Sequence, residues 1–354
     1  MPKKTGNLWK EICDWDNLYH AYKATIKGRR YKPALIRYSA SLDQNLVKLH
    51  DAFVSLTWQP HITFTKRIQY PKPRIITAPV PYDRVAFHAI IDVIRPYFER
   101  KYIEHSYACI AGKGTLHAVQ AVQKMVCRVN RQCGGGYVLK CDIHSYFASI
   151  DHNVLKNLIR KTIKDPNVLL MLDRIIDSAE GNVGLPLGAL SSQLFANVYL
   201  DYLDHKIKEE YGVRNYARYM DDFVIVHEDK KYLAWLLKEI NRIVEEDLHL
   251  QLNPKTAIFP IKHGVDFCGY RIWPTYLKAR KRNIKNARRR LKYLAAKVNA
   301  GEESLDKFKR TLASFQGLMS HCKSYKTMEK ILDECAITYH DENQISLDEM
   351  KTDW

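Results

Sequence analysis

The segment Tyr216–Val226, YARYMDDFVIV, constrains the fold of this chain more than any other. Two apolar, strand-like runs flank a doubly acidic turn, a pattern that predicts a β-hairpin with Asp221 and Asp222 at its tip. A pair of aspartates alone is a common turn former. A solvated turn, however, requires neither Tyr219-Met220 before the pair nor Phe223-Val224-Ile225-Val226 directly after it. A second strand-like run, YVLKCD, ends on Asp142, 79 residues upstream of Asp221. Carboxylates brought together from different elements are what two-metal phosphoryl transfer requires, and magnesium prefers such oxygen donors.

Composition narrows the partner. With 56 Lys and Arg against 39 Asp and Glu, the 354-residue chain carries a formal charge of +17. That excess favours a polyanion, nucleic acid ahead of anionic lipid. At 46% hydrophobic and 27% charged residues the chain is neither disordered nor collagen-like, and its length supports a large core. No apolar run reaches 18 residues, and Met1-Pro2-Lys3-Lys4 leads into polar sequence, so neither a membrane span nor a signal peptide is expected. The location expected is cytoplasmic. The eight cysteines form no CxxC pair, which argues against a zinc knuckle and for reduced thiols. Cys141 and Cys268 fall in apolar runs and are expected to be small core residues.

Along the chain, residues 1–60 read as a helical N-terminal extension. Trp9, Ile12, Trp15, Leu18, Tyr19 and Tyr22 recur at helical spacing, and a basic connector, Lys27–Lys32, follows. The stretch ITFTKRIQYPKPRIITAPVPYD predicts a hairpin broken by prolines, with helices after it up to Gly134-Gly135-Gly136. GLPLGALSSQLFANVYLDYL starts as a Gly/Pro-rich loop and passes into a long helix. LQLNPKTAIFPI and VDFCGYRIW each read as a short strand. Composition changes after Trp273: residues 278–297 hold ten Lys/Arg and no acid, with Ile284, Ala287, Leu291 and Leu294 at helical spacing. This predicts a separate helical subdomain from about residue 275. The C-terminal residues reverse sign, and their acids (Asp341, Glu342, Asp348, Glu349, Asp353) could dock on a basic partner or form a frayed end.

At this point a resemblance becomes specific. Tyr219-Met220-Asp221-Asp222 resembles the catalytic box of reverse transcriptases, and six further motifs of that series occur in order. They are YPKPRIITAPVPYDRVAFHAI (70–90), SYACIAGKGTLHAV (106–119), KCDIHSYFASI (140–150), GLPLGALSSQLFANVYL (184–200), LNPKTAIF (252–259) and FCGYRIW (267–273). Within the group II intron and retron-like superfamily, many enzymes carry Pro-Gln-Gly in the fourth-position loop, where this chain has Leu187. Leu-Pro-Leu-Gly followed by Ser192-Gln193 resembles the reverse transcriptases of diversity-generating retroelements. The resemblance implies an α+β fold of right-hand polymerase architecture. Residues 61–275 would form fingers and a palm, an antiparallel sheet packed on helices; residues 276–354 would form a helical basic thumb and tail. Only 44 residues follow Arg310, too few for a ribonuclease H fold.

The same resemblance implies roles. Asp142, Asp221 and Asp222 would hold two magnesium ions, with manganese able to substitute, and the Ile143 carbonyl would join the metal shell. Lys72 and Arg74 would meet the incoming triphosphate, Arg74 bidentately. Phe147 would press on the sugar and exclude a 2′-hydroxyl, Gln193 would line the nucleotide site, and Lys255 would protonate the leaving pyrophosphate. Pro186, Leu187 and Gly188 would shape the loop under the templating base; an apolar Leu187 removes an amide there and would relax fidelity, together with Arg74. Gly269 and Tyr270 resemble the primer grip. Lys278, Arg280, Lys281, Arg282, Arg288, Arg289 and Arg290 would face phosphates of the duplex, largely blind to sequence.

The expected activity is RNA-directed DNA polymerisation that copies a template-repeat RNA into adenine-mutagenised cDNA for retrohoming into a variable repeat. Partners would be that RNA, the RNA–cDNA duplex and a small basic, oligomeric accessory variability protein, with no membrane, in a bacterial, archaeal or phage-encoded setting. The alternatives are a retron-like, group II-like or defence-associated reverse transcriptase, and an inactive RNA-binding protein, against which the three retained aspartates argue.

Overall fold

The computed structural model describes residues 7–61, 64–68, 74–179, 181–186 and 188–337. Lys72, Leu187 and the acidic C-terminal residues lie outside the described residues. The chain divides into two compact units, one of residues 7–118, 139–225 and 229–258, the other of 119–138, 226–228 and 259–337.

The first unit opens with helices α1 (Leu8–Cys13), α2 (Trp15–Ile26), α3 (Pro33–Ala40) and α4 (Leu42–Val54), as the aromatic periodicity predicts. Asp14 caps α2 by accepting from the Asp16 amide at 2.9 Å. The antiparallel hairpin β1 (Phe64–Ile68) and β2 (Arg74–Ala78) follows. Helix α5 (Pro81–Glu99) is the central beam: Val85, Phe87, Ile90, Ile91, Ile94 and Phe98 are buried, and α2, α10 and α1 pack on it. Next along the chain come α6 (Thr115–Cys133), most of which belongs to the second unit, and β3 (Tyr137–Asp142). The short α7 (Tyr146–Ser149), α8 (His152–Arg160), α9 (Pro166–Asp177) and α10 (Leu190–His205) follow. Strands β4 (Tyr216–Tyr219) and β5 (Asp222–His227) form the predicted hairpin, followed by α11 (Lys230–Arg242) and β6 (Ala257–Pro260). The sheet runs in the order β4-β5-β3-β6, so β5, which begins on Asp222, lies beside β3, which ends on Asp142. Alternation along β3 buries Leu139 and Cys141 and turns Lys140 and Asp142 to the opposite face.

The second unit holds an antiparallel sheet, β7 (Val265–Phe267), β8 (Tyr270–Ile272) and β9 (Leu277–Ala279), and helices α12 (Lys281–Asn299), α13 (Leu305–Met319) and α14 (Tyr325–Asp333). Leu291, Leu294 and Val298 pack with Phe308, Leu312, Phe315, Met328 and Ile331 into one core. Three expectations need correction. VDFCGYRIW is a hairpin rather than one strand, because Cys268 (φ 47°) and Gly269 (φ 88°) turn the chain with left-handed backbone. Cys268 is therefore half-buried in a turn, whereas Cys141 is fully buried in the sheet. Lys278 lies on β9 and not on the basic helix, because Tyr270, Arg271 and Ile272 of β8 pair with Ala279, Lys278 and Leu277.

Among the described residues, no helix is long and apolar enough to cross a membrane. All eight cysteines are free.

Candidate active site

The hairpin register sets the site. Tyr219 pairs with Asp222, leaving Met220 and Asp221 as a two-residue turn. Met220 has φ 59°, at the first turn position, where such loops ordinarily take glycine. The Ile143 amide donates to the Asp221 carbonyl at 3.3 Å, tying the residue after Asp142 to the turn. The three predicted aspartates are thus gathered at the ends of neighbouring strands.

Each carboxylate has its own setting. Both Asp222 oxygens accept from Lys140 Nζ, at 2.7 and 2.9 Å. Burial pushes the Asp222 carboxyl up to about 6; Lys140 opposes the shift, and Asp142 and Asp221 add to it. Asp142 Oδ2 accepts from Asn253 Nδ2 at 3.0 Å, and the Asp142 carbonyl accepts from the Asn253 amide at 2.7 Å. Lys140 and Asn253 escape a reading by motif. Lys140 is signalled by its place two residues before Asp142 on one strand face; Asn253 sits in LNPKTAIF two residues before Lys255. The exposed Lys255 is linked to the site through its backbone, its amide donating to Asn253 Oδ1 at 3.0 Å.

Among the described residues no cluster of three or more His, Cys, Asp or Glu side chains is set to hold a metal. Magnesium does not need one: it takes one or two carboxylates, retains water, and completes its shell with substrate phosphates. Asp142, Asp221 and the Ile143 carbonyl are hard oxygen donors that fit such an ion, while Asp222 is engaged by Lys140.

The loop before α10 is fastened to the same unit. The Leu185 amide donates to the Phe147 carbonyl at 2.7 Å and the Gly184 amide to the Ile150 carbonyl at 2.8 Å. Ser192 Oγ donates to the Pro186 carbonyl at 2.7 Å. Phe147 is half-buried, edge-on to Tyr146. Gly188 and Gln193 line a cavity of about 370 Å³ with Lys27, Arg29, Arg84 and His88. Those basic neighbours come from the connector after α2 and from α5, and only the fold places them beside the loop. The side chain of Arg74 lies outside the described residues; its backbone opens β2 opposite Ile68.

Residues 49–272 match the family model described as reverse transcriptase (RNA-dependent DNA polymerase). The chain belongs to that family. Its relatives include protein YkfC of Escherichia coli K12, 27% identical over 66% of this chain and 72% of that protein. The putative COX1/OXI3 intron 2 protein of Saccharomyces cerevisiae is 23% identical over 38% of this chain and 23% of its own length. Apo telomerase from Candida tropicalis, 12% identical, shares the fold at a TM-score of 0.50 over 78% of this chain and 62% of that one. The reverse transcriptase family works with divalent metal ions.

In the second unit of this reverse transcriptase, Gly269 and Tyr270 form the β7–β8 corner. The Gly269 carbonyl accepts from the Arg280 amide at 2.9 Å, and the buried Tyr270 donates its hydroxyl to the Leu318 carbonyl at 3.0 Å. The seven predicted phosphate-facing cations do not form one set. Arg280 pairs with Asp266, Arg288 pairs with Glu334, and Lys278 Nζ lies over the stacked rings of Trp273 and Tyr276. Lys281, Arg282, Arg289 and Arg290 lie on α12, and all four are exposed there.

Proposed function

We propose that this reverse transcriptase copies a structured template-repeat RNA into cDNA with errors at template adenines, for transfer into a variable repeat. The observation that carries the polymerase part is the junction of Asp142 and Asp221 through the Ile143–Asp221 backbone bond. The diversifying part rests on the Leu-Pro-Leu-Gly loop and Ser192-Gln193. In this reading residues 1–60 are an N-terminal extension, 61–275 fingers and palm, and 276–354 thumb and tail.

Asp142, Asp221 and the Ile143 carbonyl would hold divalent ions, magnesium with manganese as substitute. Held there, such ions would supply Lewis-acid activation of the primer 3′-hydroxyl and neutralisation of the triphosphate and leaving pyrophosphate. Asn253 fixes the orientation of Asp142, and Lys140 holds Asp222 beside the other two carboxylates. Lys255 hands a proton to the leaving pyrophosphate, and Lys72 and Arg74 grip the triphosphate. Phe147 meets the sugar face, Gln193 the nucleotide, and Pro186, Leu187 and Gly188 the templating base. Gly269 and Tyr270 shape the primer grip. Of the basic set, Lys281, Arg282, Arg289 and Arg290 serve the duplex backbone directly, with binding that weakens as salt rises; Lys278, Arg280 and Arg288 are engaged by side chains of their own unit. A small basic accessory protein and a cytoplasmic location belong to this reading.

The yeast relative's name, an intron protein, favours a second reading: a group II-like enzyme without diversification. The test supplies template RNA with and without the accessory protein and sequences the cDNA. Substitutions concentrated at template adenines support the first reading; faithful cDNA supports the second. Leu187→Gln is expected to lower the adenine error rate, and an unchanged spectrum would remove Leu187 from the account.

A further inference from the structure

A buried ion pair stands behind the catalytic turn. Arg218 and Asp204 have no exposed side-chain surface, and Arg218 is the largest fully buried side chain among the described residues. Alternation along β4 sends Tyr216 and Arg218 to one face, where both meet Asp204 in the last turn of α10. Arg218 Nε donates to Asp204 Oδ1 at 2.8 Å, and Nη2 donates to Oδ2 at 2.6 Å. Tyr216 donates its hydroxyl to Oδ1 at 2.5 Å. Nη2 also donates to Ser106 Oγ at 3.1 Å, and Nη1 to Asn197 Oδ1 at 3.2 Å. The remaining Nη1 contact is to the Met220 carbonyl, at 2.9 Å.

That last bond matters most, because Met220 is the strained residue of the turn and its carbonyl carbon is bonded to the Asp221 nitrogen. A non-glycine residue held in left-handed backbone persists only where its surroundings over-determine it. A guanidinium fork can supply that constraint, since one edge is locked on Asp204 while the other reaches the turn. The backbone of Arg218 is fixed as well, its amide donating to the His105 carbonyl at 3.0 Å and its carbonyl accepting from the Tyr107 amide at 3.1 Å. A buried ion pair is weak evidence for stability, since well-packed apolar residues often replace one at no loss.

We infer that the Asp204–Arg218 pair is a positioning device: Arg218 holds the Met220 carbonyl, and through it the Asp221 carboxylate, and the pair is dispensable for folding. The inference rests on the proposed role of Asp221 in nucleotide transfer.

The test uses the full chain on poly(rA) primed with oligo(dT), comparing the parent with Asp221→Asn, Arg218→Lys and the apolar double variant Arg218→Met/Asp204→Leu. Lysine keeps the charge opposite Asp204 but lacks the second arm. Arg218→Lys is expected to lower kcat roughly tenfold, and the double variant roughly a hundredfold, the scale of a lost geometric constraint. KM for dTTP should stay within about threefold, because the nucleotide-binding groups are untouched. The double variant should still unfold cooperatively above the assay temperature, with Tm lowered by the Tyr216, Ser106 and Asn197 groups that lose their partners, while calorimetry should show weaker Mn²⁺ binding by its primer–template complex. A folded double variant with kcat within about twofold of the parent, beside an inactive Asp221→Asn, overturns the inference while leaving the role of Asp221 intact. A double variant that does not fold also overturns it. Activity retained by Asp221→Asn would instead remove the reading on which the inference stands.

Discussion

The two units use charge in opposite ways. In the first, Arg218 and Asp204 are wholly buried, and Lys140 and Asp222 are both half-buried. The two contacts next to the acidic turn each fix a particular atom, Arg218 the Met220 carbonyl and Lys140 the Asp222 oxygens. In the second, α12 carries Lys281, Arg289 and Arg290 in solvent, and its ion pairs, such as Lys292 with Glu334 at 3.1 Å, lie at the surface. Chemistry that needs carboxylates in fixed geometry calls for the first arrangement. Holding a polyanion whatever its sequence calls for the second, because phosphate contacts carry no base information.

Breaking one buried pair and one surface pair separates the two uses. Asp204→Ala leaves Arg218 uncompensated in the interior and should cost about 3–5 kcal/mol in urea unfolding. Arg288→Ala, which breaks the surface pair with Glu334, should leave unfolding unchanged. Equal losses would erase the contrast. Stability in the second unit comes instead from its apolar seam: Leu294→Ala, in the core between α12 and α13, should cost about 2–5 kcal/mol. Arg289→Ala and Arg290→Ala should each weaken RNA–DNA duplex binding several-fold. Each should also reduce the slope of log K against log salt by about 0.7–0.9, with saturating kcat unchanged, if the cation contacts one phosphate. An unaltered salt slope would place those arginines off the duplex.

The smallest effect is a pH dependence. Burial, reinforced by Asp204, raises the Asp201 carboxyl to about 7 in the folded chain, against an ordinary value near 3.8. A carboxyl raised on folding contributes stability that is present below its unfolded pKa and is lost as pH rises through the folded one. Asp201→Asn should therefore raise Tm by a few degrees at pH 8 and leave it unchanged near pH 4. A variant whose advantage is equal at both pH values would show that titration of Asp201 is not the cause.

Much of the palm is legible in the sequence because its signals are local. Alternation in YVLKCD and in the runs around Asp221-Asp222 fixes which side chains share a face, and the sheet then brings two strand ends together. The supporting groups are hidden by distance along the chain: Asn253 reaches Asp142 from 111 residues away, and Lys140 reaches Asp222 from 82. The Asp204–Arg218 pair is close in sequence, yet a charged residue in an apolar run carries no mark of its partner. The start of the basic segment departs from the expected helix because cation density says nothing about conformation: Lys278 extends along β9 and Arg280 caps α12, and only from Lys281 does the helix run. The corner at Cys268-Gly269 is concealed for a related reason, since apolar residues on both sides mask a single glycine.

The most direct test of the account is primer extension on an RNA template by the purified full chain, set beside Asp221→Asn of matched Tm. The account predicts DNA product from the parent that depends on a divalent ion, and a loss of roughly 10³-fold or more in the variant. Equal product from both proteins, or none from the parent, would contradict it.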